Sequence, residues 1–175
     1  MAQNSFNQYC RQEADTTALA QKLASSLSHL FQEDQSTHLN ISLEGDLGAG
    51  KTTFARHLIQ ALGYEGRVKS PTYTLCEPYP IQINSSNPST PSLIAHHFDL
   101  YRMRDPLEWQ EAGFAEHFDE PGFCLVEWPE KAEGTLPAFD IEIHLLAGDD
   151  ENARNIGFKA NSSQGMAVIE NMQTQ

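Results

Sequence analysis

Nine residues, "GDLGAGKTT" (Gly45–Thr53), constrain this chain more than any other stretch. They match G-x-x-x-x-G-K-[ST] at every fixed position. In that pattern a glycine-rich loop turns its main-chain N–H groups onto a phosphate chain, a lysine reaches the outer phosphates and a hydroxyl meets magnesium. At average residue frequencies a chance match at one start has a probability of ~4 in 100,000. The flanks agree with the motif. "HLNISLEG" alternates Leu39, Ile41 and Leu43 with polar neighbours, as a strand does. "TTFARHLIQALG" sets Ala55, Leu58, Ile59 and Leu62 at helical spacing, with Gly63 placed to end the helix. Strand, glycine loop and helix in that order confirm a phosphate-binding loop over an ordinary turn with a solvated lysine.

The rest of the chain reads as further strands and helices around that unit. "DTTALAQKLASSLSHLF" is an amphipathic helix with Leu19, Leu23, Leu27, Leu30 and Phe31 on one face and Asp15 or Thr16 as N-cap. "SPTYTLCEPY" alternates Thr72 and Thr74 with Tyr73 and Leu75, which predicts a strand opened by Pro71. "PIQINSSNPSTPS" is a hairpin tip or insertion, and "LIAHHFD" a strand ending near Asp99. "DPLEWQEAGFAEHF" starts as a helix capped by Asp105 with a proline at its first position. "GFCLVEW" is an unbroken apolar run suited to a strand buried on both faces. "FDIEIHLLAG" and "ARNIGFKAN" flank an acidic loop as a late antiparallel hairpin. The expected fold is therefore α/β: a three-layer P-loop NTPase-like domain over residues 13–160, its central sheet mostly parallel with an antiparallel margin. Residues 1–12 are expected to be disordered and residues 161–175 to form a flexible tail.

Charge narrows the partners. Eleven Lys plus Arg stand against 24 Asp plus Glu, a net charge of −13. A protein gripping nucleic acid by itself needs a basic face, so direct nucleic-acid binding is not expected, whereas binding to a protein with a basic surface stays open. No run is long enough to span a membrane and "MAQNSFNQYCRQEAD" has no apolar signal core, so a cytoplasmic location is the expectation. Cys10, Cys76 and Cys124 are an odd, scattered set that reads as reduced thiols. No His or Cys pair stands at ligand spacing, so the sequence carries no zinc motif.

A phosphate loop needs a metal shell and a group that positions the attacking oxygen. In such sheets those carboxylates sit at the C-terminal ends of neighbouring strands, and two strands here end in acids, Asp99 and Glu127. One can hold Mg²⁺ beside the Thr52 hydroxyl while the other orients or deprotonates water; spacing does not say which. Each could instead cap a turn or pair with Arg102. Arg102 could stabilise charge on a phosphoryl group or pair with Glu108 or Asp105. Thr72 and Thr74 could sense the outer phosphate or simply fill a strand. His96 and His97 alternate faces, so at most one reaches the site, and a plain core histidine is the expectation.

Taken together, Glu13 to Thr16 as E-x-x-T, "GDLGAGKTT", "KSPTYTL", "HFDLYR", "LVEWPEK" with a later "LP", "DIEIHL" and "ARNI" resemble the TsaE (YjeE) family of bacterial ATPases. That family serves tRNA threonylcarbamoyladenosine biosynthesis. The resemblance covers about residues 13–160; the polar 81–92 stretch looks longer than usual and residues 161–175 have no match. It implies that the amides of Gly48, Ala49, Gly50, Lys51, Thr52 and Thr53 cradle the phosphates of ATP, with Lys51 as a catalytic cation. Thr52 and Glu127 would carry Mg²⁺, and Asp99 would position the hydrolytic water. Thr72 would belong to a switch-like segment and Trp128 would lie beside the nucleotide. Thr16 and Arg154 would reach the same pocket. ATP rather than GTP comes from the resemblance, since no N-K-x-D motif is present. The implied activity is a weak ATPase that docks on the TsaB–TsaD threonylcarbamoyl-transfer complex and resets it between turnovers. A small-molecule kinase is disfavoured because the basic residues after the loop form no lid-like cluster. A non-catalytic nucleotide-dependent docking module is the third reading.

Overall fold

Seven short strands build one sheet in the computed structural model, which describes residues 4–83 and 93–175. They are β1 (Ser5–Cys10), β2 (His38–Glu44), β3 (Cys76–Ile81), β4 (Leu93–Asp99), β5 (Gly122–Glu127), β6 (Ile141–Ala147) and β7 (Arg154–Ala160). Their spatial order is β1-β7-β6-β2-β5-β4-β3. The middle four, β6, β2, β5 and β4, run parallel. Antiparallel pairs β6–β7 and β7–β1 close one edge and β3–β4 the other, so the sheet has two antiparallel margins rather than one. Most of the proline- and serine-rich stretch read as a hairpin tip, 84–92, lies outside the described residues.

Strand alternation decides what each face buries. On β5, Phe123 and Leu125 point into a core shared with α1 (Glu13–Glu33), α2 (Lys51–Ala61) and α4 (Ser163–Thr174). Cys124 and Val126 point the other way, into a smaller core with Phe98, Trp109 and Phe118. That second layer consists of α3 (Glu108–Glu111) and 3-10 turns at Ala115–Phe118 and Pro129–Ala132. The helix expected from Asp105 is thus cut to single turns. Glu108 accepts the N–H groups of Arg104 and Asp105, and Gly113, at φ +85°, turns the chain after one turn.

Three expectations are corrected. Residues 5–10 form a strand rather than a disordered start, because Phe6 stacks on Phe158 at 4.9 Å while the polar residues between face solvent. Asp15 is not the N-cap of α1; Gln12 is, and the Asp15 carboxylate accepts the N–H groups of Arg11 and Gln12 from the third helical position. Residues 163–174 form a helix rather than a tail: the Ser162 hydroxyl caps it through Gly165 N–H, and Val168, Ile169 and Met172 are buried in the main core. The helix from the phosphate loop ends as read, with Gly63 at φ +102° just beyond its last turn. The three cysteines are buried free thiols.

Candidate nucleotide site

The parallel centre brings the C-terminal ends of β2, β4 and β5 to one edge, where the expected site residues gather. β2 runs into the loop at Gly45, a position set by β6. A Cβ there would lie 2.6 Å from the Leu145 carbonyl oxygen, and φ is +156°. Gly48 and Gly50 take φ of +82° and +100°, so the chain doubles back and enters α2. Gly50 is the N-cap and has no side chain to cap with, which leaves the first N–H groups of α2 directed at the cleft. The cleft measures about 480 Å³.

Asp99 and Glu127 are direct neighbours in the β4–β5 register, so the two strand-end acids stand side by side. Both are buried. The Thr52 hydroxyl lies 3.0 and 3.2 Å from the two oxygens of Glu127. The same carboxylate meets His97 Nε2 at 2.5 Å. His97 is fully buried, and its Nδ1 has no hydrogen-bond partner among the described residues. The Asp99 carboxylate accepts the Tyr101 N–H at 3.0 Å. Burial pushes its pKa up, and the charge of Glu127 adds to the shift, against the pull of Tyr101 N–H, His97 and Lys51. Lys51 donates to the carbonyls of Gly45 and Asp46, and its ammonium sits 4.0 Å from the centre of the Trp128 ring. Burial lowers its pKa against the surrounding carboxylates. Trp128 holds φ +60°, a strained conformation for a non-glycine residue and one found at functional sites.

Gly48, Gly50, Thr53, Thr72 and Arg154 line the same cleft. Thr72 is not on a strand. Leu75, at φ +66°, turns residues 72–75 into a loop that is tied back by Leu75 N–H to Pro71 O, and β3 begins only at Cys76. Thr72 Oγ1 lies 2.7 Å from Ser70 Oγ, also on the cleft. Arg154 donates through Nε to Ala49 O at 2.7 Å and through Nη1 to Glu151 O and Ala153 O, so it braces the loop from β7. Thr16 and Ala49 line a second, smaller cavity of about 150 Å³ that shares Gly50, Thr53 and Arg154 with the cleft. Arg102 makes no ion pair with Asp105 or Glu108; its guanidinium packs 4.5 Å from the Tyr73 ring centre at the rim of the cleft. Of His96 and His97, which alternate faces so that at most one reaches the site, His97 is the one that does: it clamps Glu127 rather than standing as a plain core histidine. Its signal is present in the chain as H-x-D, a histidine two residues before a strand-end acid. The pairing itself crosses strands and has no counterpart in spacing.

Three comparisons identify the relatives. The profile of the family described as threonylcarbamoyl adenosine biosynthesis protein TsaE matches residues 10–170. A protein of Haemophilus influenzae named tRNA threonylcarbamoyladenosine biosynthesis protein TsaE is 39% identical over 165 residues, 94% of this chain and 96% of its own length. The Bacillus subtilis protein of the same name is 41% identical over 121 residues, 69% of this chain and 68% of its own. The crystal structure of Bacillus subtilis YdiB superposes with a TM-score of 0.72 at 28% identity, covering 97% of this chain and 95% of that one. Together with the strand–loop–helix unit and the parallel centre of the sheet, these matches show that the chain belongs to the TsaE family and has a P-loop NTPase-like fold.

Proposed function

We propose that this chain is a Mg²⁺-dependent ATPase that acts in tRNA threonylcarbamoyladenosine formation by supporting a TsaB–TsaD complex. The observation that carries the reading is the Thr52–Glu127 pair at the lip of the glycine cradle. Mg²⁺ binds oxygens at 2.0–2.1 Å in an octahedron, so two adjacent ligands lie about 2.9 Å apart. The Thr52–Glu127 separation of 3.0 Å fits that edge. The donor set, one hydroxyl and one buried carboxylate, suits a hard cation that keeps several waters. When bound there, Mg²⁺ would neutralise charge on the outer phosphates.

The chain's own residues do the remaining work. The N–H groups at the start of α2 bind phosphate oxygens, helped by the helix dipole. Lys51 leaves the carbonyls of Gly45 and Asp46 for the outer phosphates; its buried ammonium is poorly solvated, which strengthens that contact. His97 holds the Glu127 carboxylate in place. Asp99, held by Tyr101 N–H beside Glu127, orients a water and takes its proton, a task that its raised pKa favours. Trp128 and Tyr101, 4.9 Å apart between ring centres, line one side of the cleft.

The test is phosphate release from Mg-ATP by the purified chain, alone and with the TsaB–TsaD pair. Slow release that rises with the pair, and is abolished by Lys51→Ala and by Glu127→Ala, is expected. Release that ignores the pair but rises with small metabolites would replace this reading with a kinase.

A further inference from the structure

Lys51, Arg102 and Arg154 are the cations that line the nucleotide cleft. Lys51 and Arg154 already spend their donors on main-chain carbonyls around the phosphate loop. Arg102 does not. Among the described residues it makes no hydrogen bond and no ion pair, in a chain that carries 24 acidic side chains. What it meets is the ring of Tyr73, with the guanidinium carbon over the ring and 4.5 Å from its centre. A ring face attracts a cation without offering a carbonyl or carboxylate acceptor, so the planar fork of N–H donors stays available. Burial in a core does not explain Tyr73, which is 84% exposed. It stands on the loop turned by Leu75 at φ +66°, the same loop that brings Thr72 to the cleft. Arg102 in turn follows Tyr101, whose N–H is held by the Asp99 carboxylate. The turn that carries the guanidinium is thus tied to the acid that faces the same cleft.

We propose that Arg102 stabilises the charge on the phosphoryl group in transfer, and that Tyr73 positions it for that contact. The inference rests on the ATPase reading above and names a residue that reading does not use. As water attacks the γ-phosphorus, a new P–O bond forms and the bond to the β–γ bridging oxygen breaks. The proton of the water passes to Asp99, and the electron pair of the broken bond leaves with ADP. Negative charge in that transition state is spread over the three equatorial oxygens of the transferring group. A guanidinium fork matches two such oxygens at once, which a point charge cannot do, and it stays charged at any working pH. The ground-state phosphates already have Lys51 and the amides at the start of α2. Arg102 therefore acts on the rate and little on the affinity for ATP.

ADP with aluminium fluoride is the probe, because the bound fluoride imitates the group in transfer. It is titrated by calorimetry into the full chain with Mg²⁺ present and no partner protein. The parent chain should bind it at least ~10-fold tighter than ADP alone. Arg102→Ala should remove that preference and cut phosphate release at least ~100-fold, with ATP affinity kept within ~3-fold. Arg102→Lys should recover little of either, since it keeps the charge and loses the fork. Tyr73→Phe should match the parent and Tyr73→Ala should lose most of the preference, because the ring face holds the cation and the hydroxyl does not. A preference that survives Arg102→Ala overturns the proposal, as does a loss of ATP and ADP–aluminium fluoride binding by the same factor. Equal loss in Tyr73→Phe and Tyr73→Ala overturns the positioning role. A preference that needs the partner pair and ignores Arg102→Ala would put the cation on the partner and overturn the proposal too. A parent chain that binds no ATP would refute the ATPase reading itself, and this inference with it.

Discussion

Replacing Gly45 by alanine tests whether the phosphate loop is set by β6 rather than by its own glycines. The new Cβ would stand 2.6 Å from the Leu145 carbonyl oxygen and 3.2 Å from the Ala49 side chain. Both neighbours are fixed, one on a sheet strand and the other in the loop, so the entry of the loop must move by roughly 0.7 Å to reach an ordinary contact. Overpacking of this kind costs about 1–3 kcal/mol, and the φ of +156° adds about 1–3 kcal/mol of backbone strain. The sum, about 2–6 kcal/mol, corresponds to a melting-temperature drop of roughly 4–24 °C in a domain of this size. Gly48→Ala is the control. Its Cβ would meet nothing within 4 Å, so only the cost of its φ of +82° remains, about 1–2 kcal/mol. Because the displaced loop leads into the main-chain N–H groups at the start of α2, Gly45→Ala should weaken ATP binding as well. Chemical denaturation of both variants beside the parent, with ATP affinity by calorimetry, decides the matter. Equal stability of the two variants would refute the claim that contact with β6 positions the loop.

Asp99→Asn separates binding from hydrolysis: ATP affinity should persist while phosphate release falls by at least ~100-fold, and retained release would remove Asp99 from the mechanism. The same variant has a pH signature. A carboxyl whose folded pKa is raised above 3.8 favours the folded state when protonated and loses that contribution as pH rises through the folded value. Nucleotide-free Asp99→Asn should therefore melt above the parent at pH 7, with the gap closing below pH 3.8; a lower melting temperature at pH 7 contradicts the burial argument. His97→Ala should lower release ~10–100-fold through misplacement of Glu127, with His97→Gln recovering part of it; equal loss in both would point to general damage. Ile169→Ala should cost about 2–5 kcal/mol, since its side chain is fully buried. No change in the denaturation midpoint would mean that the C-terminal helix does not pack as described.

What the chain determined by itself was whatever short-range pattern encodes. The glycine loop, the strand before it, the helix after it and the all-apolar "GFCLVEW" strand each carry their own period or backbone requirement within a dozen residues. The two strand-end acids were legible for the same reason, because a parallel α/β sheet sends its strand ends to one edge. Tertiary structure decided the rest. The polar start became an edge strand only because Phe158 offers Phe6 a stacking partner, and the tail became a helix only because α1 and the core cover its apolar stripe. The 72–75 segment alternates like a strand, yet Leu75 adopts a left-handed conformation that no propensity foretells. His97 with Glu127, and Arg102 with Tyr73, meet across strands and turns 20 or more residues apart. Such pairings depend on register and on which face each side chain takes, and both are properties of the assembled sheet.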